Sequence, residues 1–175
     1  MPPPLRRAAA FGLTYRTMAE GDLPFVAALY ASTRTEELAP TGWPEDMKQA
    51  FLAQQHAAQH YHYQTYYPGA EWLIVEKDGA AIGRIYLDQS ESEIRLIDIA
   101  LLPAHRGAGI GGAMIDDLLE WAGGLGKSIS LHVEPNNPVR AFYLRLGFVQ
   151  TGIAGAYEAM LWRPESGAER PGTAS

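Results

Sequence analysis

The chain has 175 residues, 47% of them hydrophobic, no cysteine, and a formal net charge of −6. Such a length and apolar content suit one globular domain with a buried core, and the lack of cysteine excludes disulfides, thiolate metal sites and a cysteine nucleophile. The negative balance argues against a general nucleic-acid binder, which sets clustered Lys and Arg against phosphate. No stretch approaches the roughly 20 apolar residues of a membrane-spanning helix, so a soluble, cytoplasmic protein without membrane or nucleic-acid partners is expected.

Residues 1–12 open with three prolines and two arginines but no apolar core of signal-peptide length, and read as a disordered arm. A short strand is expected over Leu13–Thr17. A helix follows from Leu23 to Ser32, with Leu23, Val26, Ala27 and Tyr30 at i, i+3, i+4, i+7 and Asp22 placed to cap it. Glu36 and Glu37 then fall after the helix as loop carboxylates. A second helix is expected from Pro44 towards Tyr66, with a weaker stripe of Met47, Phe51, Ala58 and Tyr61. His56 and His60 stand at i, i+4 on it, with His62 nearby, in a spacing that can share a metal ion. No carboxylate on that helix completes the set, so a solvated or partly packed face, and no metal, is the expectation.

Glu71–Lys77 and Ala81–Leu87 are β-rich runs joined across Asp78-Gly79, a strong hairpin signal. A further strand is expected over Ile94–Leu102. Strict alternation places Leu96, Asp98 and Ala100 on one face and Ile97, Ile99 and Leu101 on the other. Asp98 is thus an acid inside an apolar run, costly unless it is paired or reaches water.

After Pro103 the chain passes through Arg106-Gly107-Ala108-Gly109-Ile110-Gly111-Gly112 into a helix running from Gly109 to Ala122. Glycines let an anionic ligand approach the backbone, and a helix start presents free N–H groups and a positive dipole end. No Ser, Thr, Asp or Asn from the loop caps the helix, and Arg106 adds positive charge, so the loop reads as a phosphate or diphosphate cradle. A P-loop is excluded because Ala113, not Lys followed by Ser or Thr, comes after Gly111-Gly112. A dinucleotide fingerprint is literally present at Gly107, Gly109 and Gly112, with Glu134 as a possible ribose-binding acid. Against it, Pro103-Ala104-His105-Arg106 separates strand from glycine, and too little chain follows for a second nucleotide-binding half.

Gly123, Gly124 and Gly126 are expected to end the helix. Ser128–Val133 follows as a buried strand parallel to the one before, joined by a right-handed crossover. A loop over Glu134-Pro135-Asn136-Asn137-Pro138 leads to a helix with Val139, Phe142, Tyr143 and Leu146 as its stripe. Strands over Phe148–Thr151 and Ala156–Arg163 close the domain, and residues 164–175 read as a flexible tail.

Arg106-x-x-Gly109-x-Gly111 after a strand, followed by Asn136 and the run Ala141-Phe142-Tyr143-Leu144-Arg145-Leu146-Gly147-Phe148, resembles the GNAT superfamily of N-acetyltransferases over Thr14 to Arg163. The resemblance implies one α/β (α+β) domain over 13–163: a mixed, mostly antiparallel sheet of about seven strands with a central splayed parallel pair, flanked by about four helices. It implies acetyl-CoA as co-substrate, held by the backbone of Ile99, Ala100, Leu101 and Leu102, by Arg106, Gly107, Ala108, Gly109, Ile110, Gly111 and Gly112, and by Asn136 and Tyr143. Tyr143 then stands as general acid towards the departing thiolate. Asp98 orders the acceptor amine or a water, and Glu36 and Glu37 meet a cationic acceptor, a small molecule or a peptide N-terminus. Direct transfer in a ternary complex and a possible homodimer complete the expectation. A CoA-binding sensor without turnover, or a dinucleotide binder, are the alternatives.

Overall fold

A computed structural model describes residues 2–165. Its strands and helices, in chain order, are β1 (Leu13–Thr17), α1 (Leu23–Leu38), α2 (Glu45–Tyr66), β2 (Glu71–Lys77), β3 (Ala80–Gln89), β4 (Glu93–Leu101), α3 (Ile110–Leu125), β5 (Ser128–Val133), α4 (Val139–Arg145), β6 (Val149–Ala154) and β7 (Tyr157–Trp162). The seven strands form one sheet in the order β1-β2-β3-β4-β5-β7-β6. Every neighbouring pair is antiparallel except β4 and β5. The β2–β3 hairpin turns at Asp78 and Gly79, both at positive φ, which matches the twist of the strands it joins.

One face of the sheet carries the main core. Ile94 and Leu96 of β4 and Ile129 and Leu131 of β5 pack with Ile110, Met114 and Leu118 of α3 and Tyr143 of α4. The amphipathic α3 closes this face because its apolar residues recur at helical spacing. On the other face, α1 and α2 pack together through Tyr30, Leu38 and Leu52, and Tyr63 of α2 lies edge-on to Tyr86 of β3.

The structure revises the sequence reading in several places. The segment read as a disordered arm is docked. The Asp117 carboxylate, 3% exposed on α3, accepts the backbone N–H groups of Arg6, Arg7 and Ala8 at 2.9–3.0 Å, and Arg6 and Arg7 both reach Glu120. Burial pushes the Asp117 carboxyl up, but the three backbone bonds outweigh it and hold it below its ordinary value. A buried acid on α3 takes up three backbone N–H groups of the N-terminal segment, a pairing that local composition does not report.

The helix α1 continues to Leu38, so Glu36 and Glu37 sit in its last turns. Within this extension Ser32, Thr33 and Thr35 satisfy their hydroxyls on the carbonyls of Leu29, Tyr30 and Ala31, so the polar side chains do not break the helix. Asp22 does not cap α1; it forks with Arg16 at 2.7 Å. The helix α3 runs through Gly123 and Gly124 and stops at Gly126. The part of the expected tail beyond residue 165 lies outside the described residues.

The alternation in β4 is also broken. Leu96 pairs with Leu87 and Asp98 with Tyr86, so Ile97 is an extra residue, a β-bulge. Leu96, Ile99 and Leu101 therefore share the α3 face, while Asp98 and Ala100 stand with Tyr86 and Arg84 on the α1–α2 face. A single inserted residue reverses every side chain beyond it.

Candidate active site

The parallel pairing of β4 and β5 runs only from Glu93–Ser128 through Ile94–Ile129 to Arg95–Ser130. Beyond that the strands part, where the Ile97 bulge bends β4. The gap is an open cleft of about 840 Å³, walled by Leu96 to Ala100 on one side and Leu131 to Glu134 on the other. Residues of α1 and α2 roof it, with Tyr143 of α4 and Tyr157 of β7 at its edge.

At the end of β4, a short 3-10 turn over Pro103–His105 leads to the glycine loop. Gly107 and Gly109 take left-handed backbone, at φ 75° and 86°, and Gly109 is the N-cap of α3 with no side chain capping it. The first N–H groups of α3 thus have no capping acceptor. At Gly111 a Cβ would meet only Leu101 Cδ1, at 3.9 Å, and at Gly107 nothing within 4 Å. The protein itself therefore does not crowd these positions, and bare backbone there leaves room for close approach from outside. Arg106 donates through Nε to the Leu101 carbonyl at 2.9 Å and through Nη2 to Ser32 Oγ at 3.3 Å, tying the loop to β4 and α1.

One side of the cleft is built around Asp98. Arg84 Nη2 donates to Asp98 Oδ2 at 2.7 Å, and the Tyr63 hydroxyl donates to the same oxygen at 3.3 Å. Arg84 is 3% exposed, also bonds Gln59 Oε1 at 3.0 Å, and lies 4.8 Å over the Tyr86 ring. Burial works against its charge, but Asp98 outweighs burial and keeps the guanidinium protonated. Burial, reinforced by the Asp98 charge, pushes the Tyr143 phenol up to about 12, and the same two causes push Tyr63 up.

The structure brings Asp98, Ile99, Ala100, Tyr143 and Glu37 to this cleft. Glu37 is paired with Arg34 at 2.7 Å. Glu36 is exposed and does not line the cleft. Asn136 is likewise exposed away from it; Asn137 lines the cleft instead, and its Oδ1 accepts the Val139 N–H at 3.0 Å. The Leu102 N–H is taken by the Ile82 carbonyl at 2.8 Å and is not free for a ligand. His56 and His60 stack at 6.0 Å, and among the described residues no group of three His, Asp or Glu gathers as a metal site.

Sequence reasoning passed over Arg84, Tyr63, Arg95, His132 and Tyr157 as cleft residues, and met Glu134 only as a possible ribose-binding acid. For Arg84 a signal existed: a charge inside the apolar run Ala81–Leu87, one strand away from the equally misplaced acid Asp98. The others depend on where β4 and β5 part.

A seven-stranded sheet that is antiparallel but for one splayed pair, with a glycine loop leading from β4 into α3, is the arrangement expected of an acyltransferase type of α/β domain. The doubly wound parallel sheet of a dinucleotide-binding protein is a different arrangement. The family model described as Acetyltransferase (GNAT) family matches residues 32–148, and the chain belongs to that family. No curated protein matches the sequence significantly. Among solved structures, the PaiA N-acetyltransferase of Thermoplasma acidophilum in complex with coenzyme A aligns with a TM-score of 0.61 at 18% identity, over 86% of this chain and 98% of its own. The spermidine N-acetyltransferase of Vibrio cholerae in complex with CoA and spermine gives 0.57 at 22%, over 87% and 95%. Ard1 of Thermoplasma volcanium gives 0.56 at 20%, over 89% and 99%. At these identities the likeness is one of fold. Among the described residues no helix is long and apolar enough to cross a membrane.

Proposed function

We propose that the protein is an acetyl-CoA-dependent N-acetyltransferase that acetylates a primary amine by direct transfer in a ternary complex. The observation that carries this reading is the joining, through one splayed strand pair, of an uncapped glycine-loop helix start and a buried, protonated phenol beside an acid. Acetyl-CoA supplies an activated thioester. The N–H groups from Gly107 to Gly112, with Arg106 beside them, suit its diphosphate, and the open edge of Ile99 to Leu101 suits the pantetheine arm.

Asp98 Oδ2 is committed to Arg84 and Tyr63, which fixes the carboxylate at the bulge and leaves Oδ1 to hold an amine or a water that takes its proton. The N–C bond forms as the C–S bond breaks; the amine loses a proton and the sulfur gains one. Tyr143 is the donor for that second transfer, since its raised pKa keeps it protonated at neutral pH. A strand amide near Ile99 to Leu101 polarises the carbonyl, and holding both reactants in one cleft removes the entropic cost of their meeting. Glu37, already in the cleft, draws a cationic acceptor inwards.

Calorimetric titration with acetyl-CoA, followed by thiol release across a panel of amines, tests the reading. Binding with turnover on an amine supports it. Binding without turnover on any amine makes the protein an acyl-CoA sensor, and absence of CoA binding removes the transferase reading altogether.

A further inference from the structure

Three arginines line the cleft: Arg34, Arg84 and Arg95. Arg84 is matched by Asp98 at 2.7 Å. Arg34 is shared by two carboxylates, Glu37 at 2.7 Å and Glu134 at 3.5 Å. Arg95 has no carboxylate within ion-pair distance among the described residues. Its Nη1 rests on Ser130 Oγ at 3.3 Å, and that hydroxyl in turn donates to Glu93 Oε2 at 2.9 Å. The cleft is thus dipolar: one carboxylate in excess where Arg34 serves both Glu37 and Glu134, and one unmatched guanidinium at Arg95.

Arg95 stands in the last paired position of β4 and β5, at the closed end of the splay. Asp98 lies two register steps further, opposite Tyr86 where Arg95 is opposite Asp88, about 7 Å along the strand because Ile97 is bulged out between them. Both lie on the α1–α2 side, away from the α3 core, as the pairing of Arg95 with Asp88 and Asp98 with Tyr86 requires. His132, whose ring is held below its ordinary pKa by burial and then by Arg95, adds no competing charge at neutral pH. In a protein of net charge −6, an unmatched guanidinium pinned inside the cleft is a recognition element: it is planar, permanently charged and shaped for a carboxylate.

We infer that Arg95 anchors a carboxylate of the acceptor, so that the substrate class is an amine that also carries a carboxylate, as free amino acids do. The inference rests on the transferase reading for the position of the amine, but the anchor itself is testable without turnover. The ammonium enters past Glu37 and Glu134 and meets Asp98 at the bulge, while the carboxylate reaches Arg95 at the closed end. A polyamine, with cations at both ends, places one of them against Arg95.

The experiment compares matched pairs that differ only in the carboxylate: lysine with cadaverine, phenylalanine with phenethylamine, each with acetyl-CoA. The expected result is a kcat/KM about 10- to 100-fold higher for the amino acid of the favoured pair, expressed mainly in KM, the size of one charge-assisted bidentate contact. R95Q collapses the ratio towards one and R95K retains part of it, with CoA affinity and Tm as the fold control. If no amine is turned over, calorimetric binding of the same pairs to the protein–CoA complex reads the same ratio and decides the anchor alone. Equal values within every pair, or a ratio that survives in R95Q, overturns the inference. A preference for phosphoethanolamine over ethanolamine without any carboxylate preference overturns the carboxylate assignment.

Discussion

Two glycine-to-alanine changes in one loop separate a glycine held in left-handed backbone from one inside the helix. Gly109 sits at φ 86° as the N-cap of α3, with a Cβ 3.7 Å from the Phe11 ring; Gly111 lies inside the first turn, with a Cβ 3.9 Å from Leu101 Cδ1. Both contacts are ordinary, so sterics do not distinguish the two positions; backbone conformation does. Gly109→Ala forces a side chain into left-handed backbone at about 1–2 kcal/mol, a loss that a domain of this size registers as roughly 3–6 °C in Tm. Gly111→Ala gains helix propensity, about 0.5–1 kcal/mol, and raises Tm slightly. Relief of the Gly109 strain turns the preceding N–H groups away from a diphosphate. Losing one charge-assisted bond of about 1.5–3 kcal/mol weakens CoA binding roughly 10- to 150-fold. Thermal unfolding and calorimetric titration of both variants give the readout. A Gly109→Ala protein that melts lower yet binds CoA with undiminished affinity refutes the cradle, and one that melts no lower refutes the strain argument.

The remaining expectations concern the cleft and its supports. Tyr143→Phe keeps the fold and lowers kcat by about 100-fold, the usual worth of a positioned acid; a loss under threefold sinks that role. Because burial and Asp98 hold the phenol near 12, kcat shows no Tyr143-linked fall below pH about 10, its unperturbed value. Asp98→Asn leaves the Arg84 guanidinium buried without its counter-charge and destabilises by about 3–5 kcal/mol, whereas replacing both partners by apolar residues recovers much of the loss; equal denaturant midpoints for wild type and Asp98→Asn contradict this. His56 is 7% exposed with Nε2 unpartnered among the described residues, and burial, then the charges of Arg84 and His60, hold its pKa down to about 4. A depressed histidine binds its proton more weakly when folded. Its contribution is therefore complete above pH about 6.5 and is lost as the pH falls from there to about 4, by about 3 kcal/mol at most. Urea titrations at pH 7.5 and 4.5 on wild type and His56→Phe measure it, and parallel losses in both proteins rule out His56 as the source.

Much of the fold was legible because it rests on local rules. The Asp78-Gly79 hairpin, the strand ending at Pro103, the uncapped glycine loop and the apolar stripe of α3 each announce themselves within a dozen residues. The geometry of the glycine loop was legible for the same reason, since left-handed backbone before a helix start is written as glycine. The rest of the site was not. The sequence shows Asp98 as an acid in an apolar strand but not its partner, because Arg84 becomes its neighbour only through the β3–β4 register. Nor did alternation foresee the Ile97 bulge, which places Asp98 opposite the Leu96 face. The continuation of α1 to Leu38 places Glu37 in the cleft, and the polar run from Ser32 to Glu37 gave no local sign that the helix goes on, since it is packing against α2 that carries it.

By itself, then, the order of residues determined the elements, the position of the glycine loop and the presence of a phenol seven residues after a Pro-flanked Asn. Tertiary structure alone decided which charges are matched. Arg34, Arg84 and Arg95 look alike in sequence, yet one is shared by two carboxylates, one is buried against Asp98, and one is left over. Whether a charge is free depends on which strands lie side by side and where they part, and strand pairing joins residues far apart in the chain through hydrogen bonds that carry no local signature.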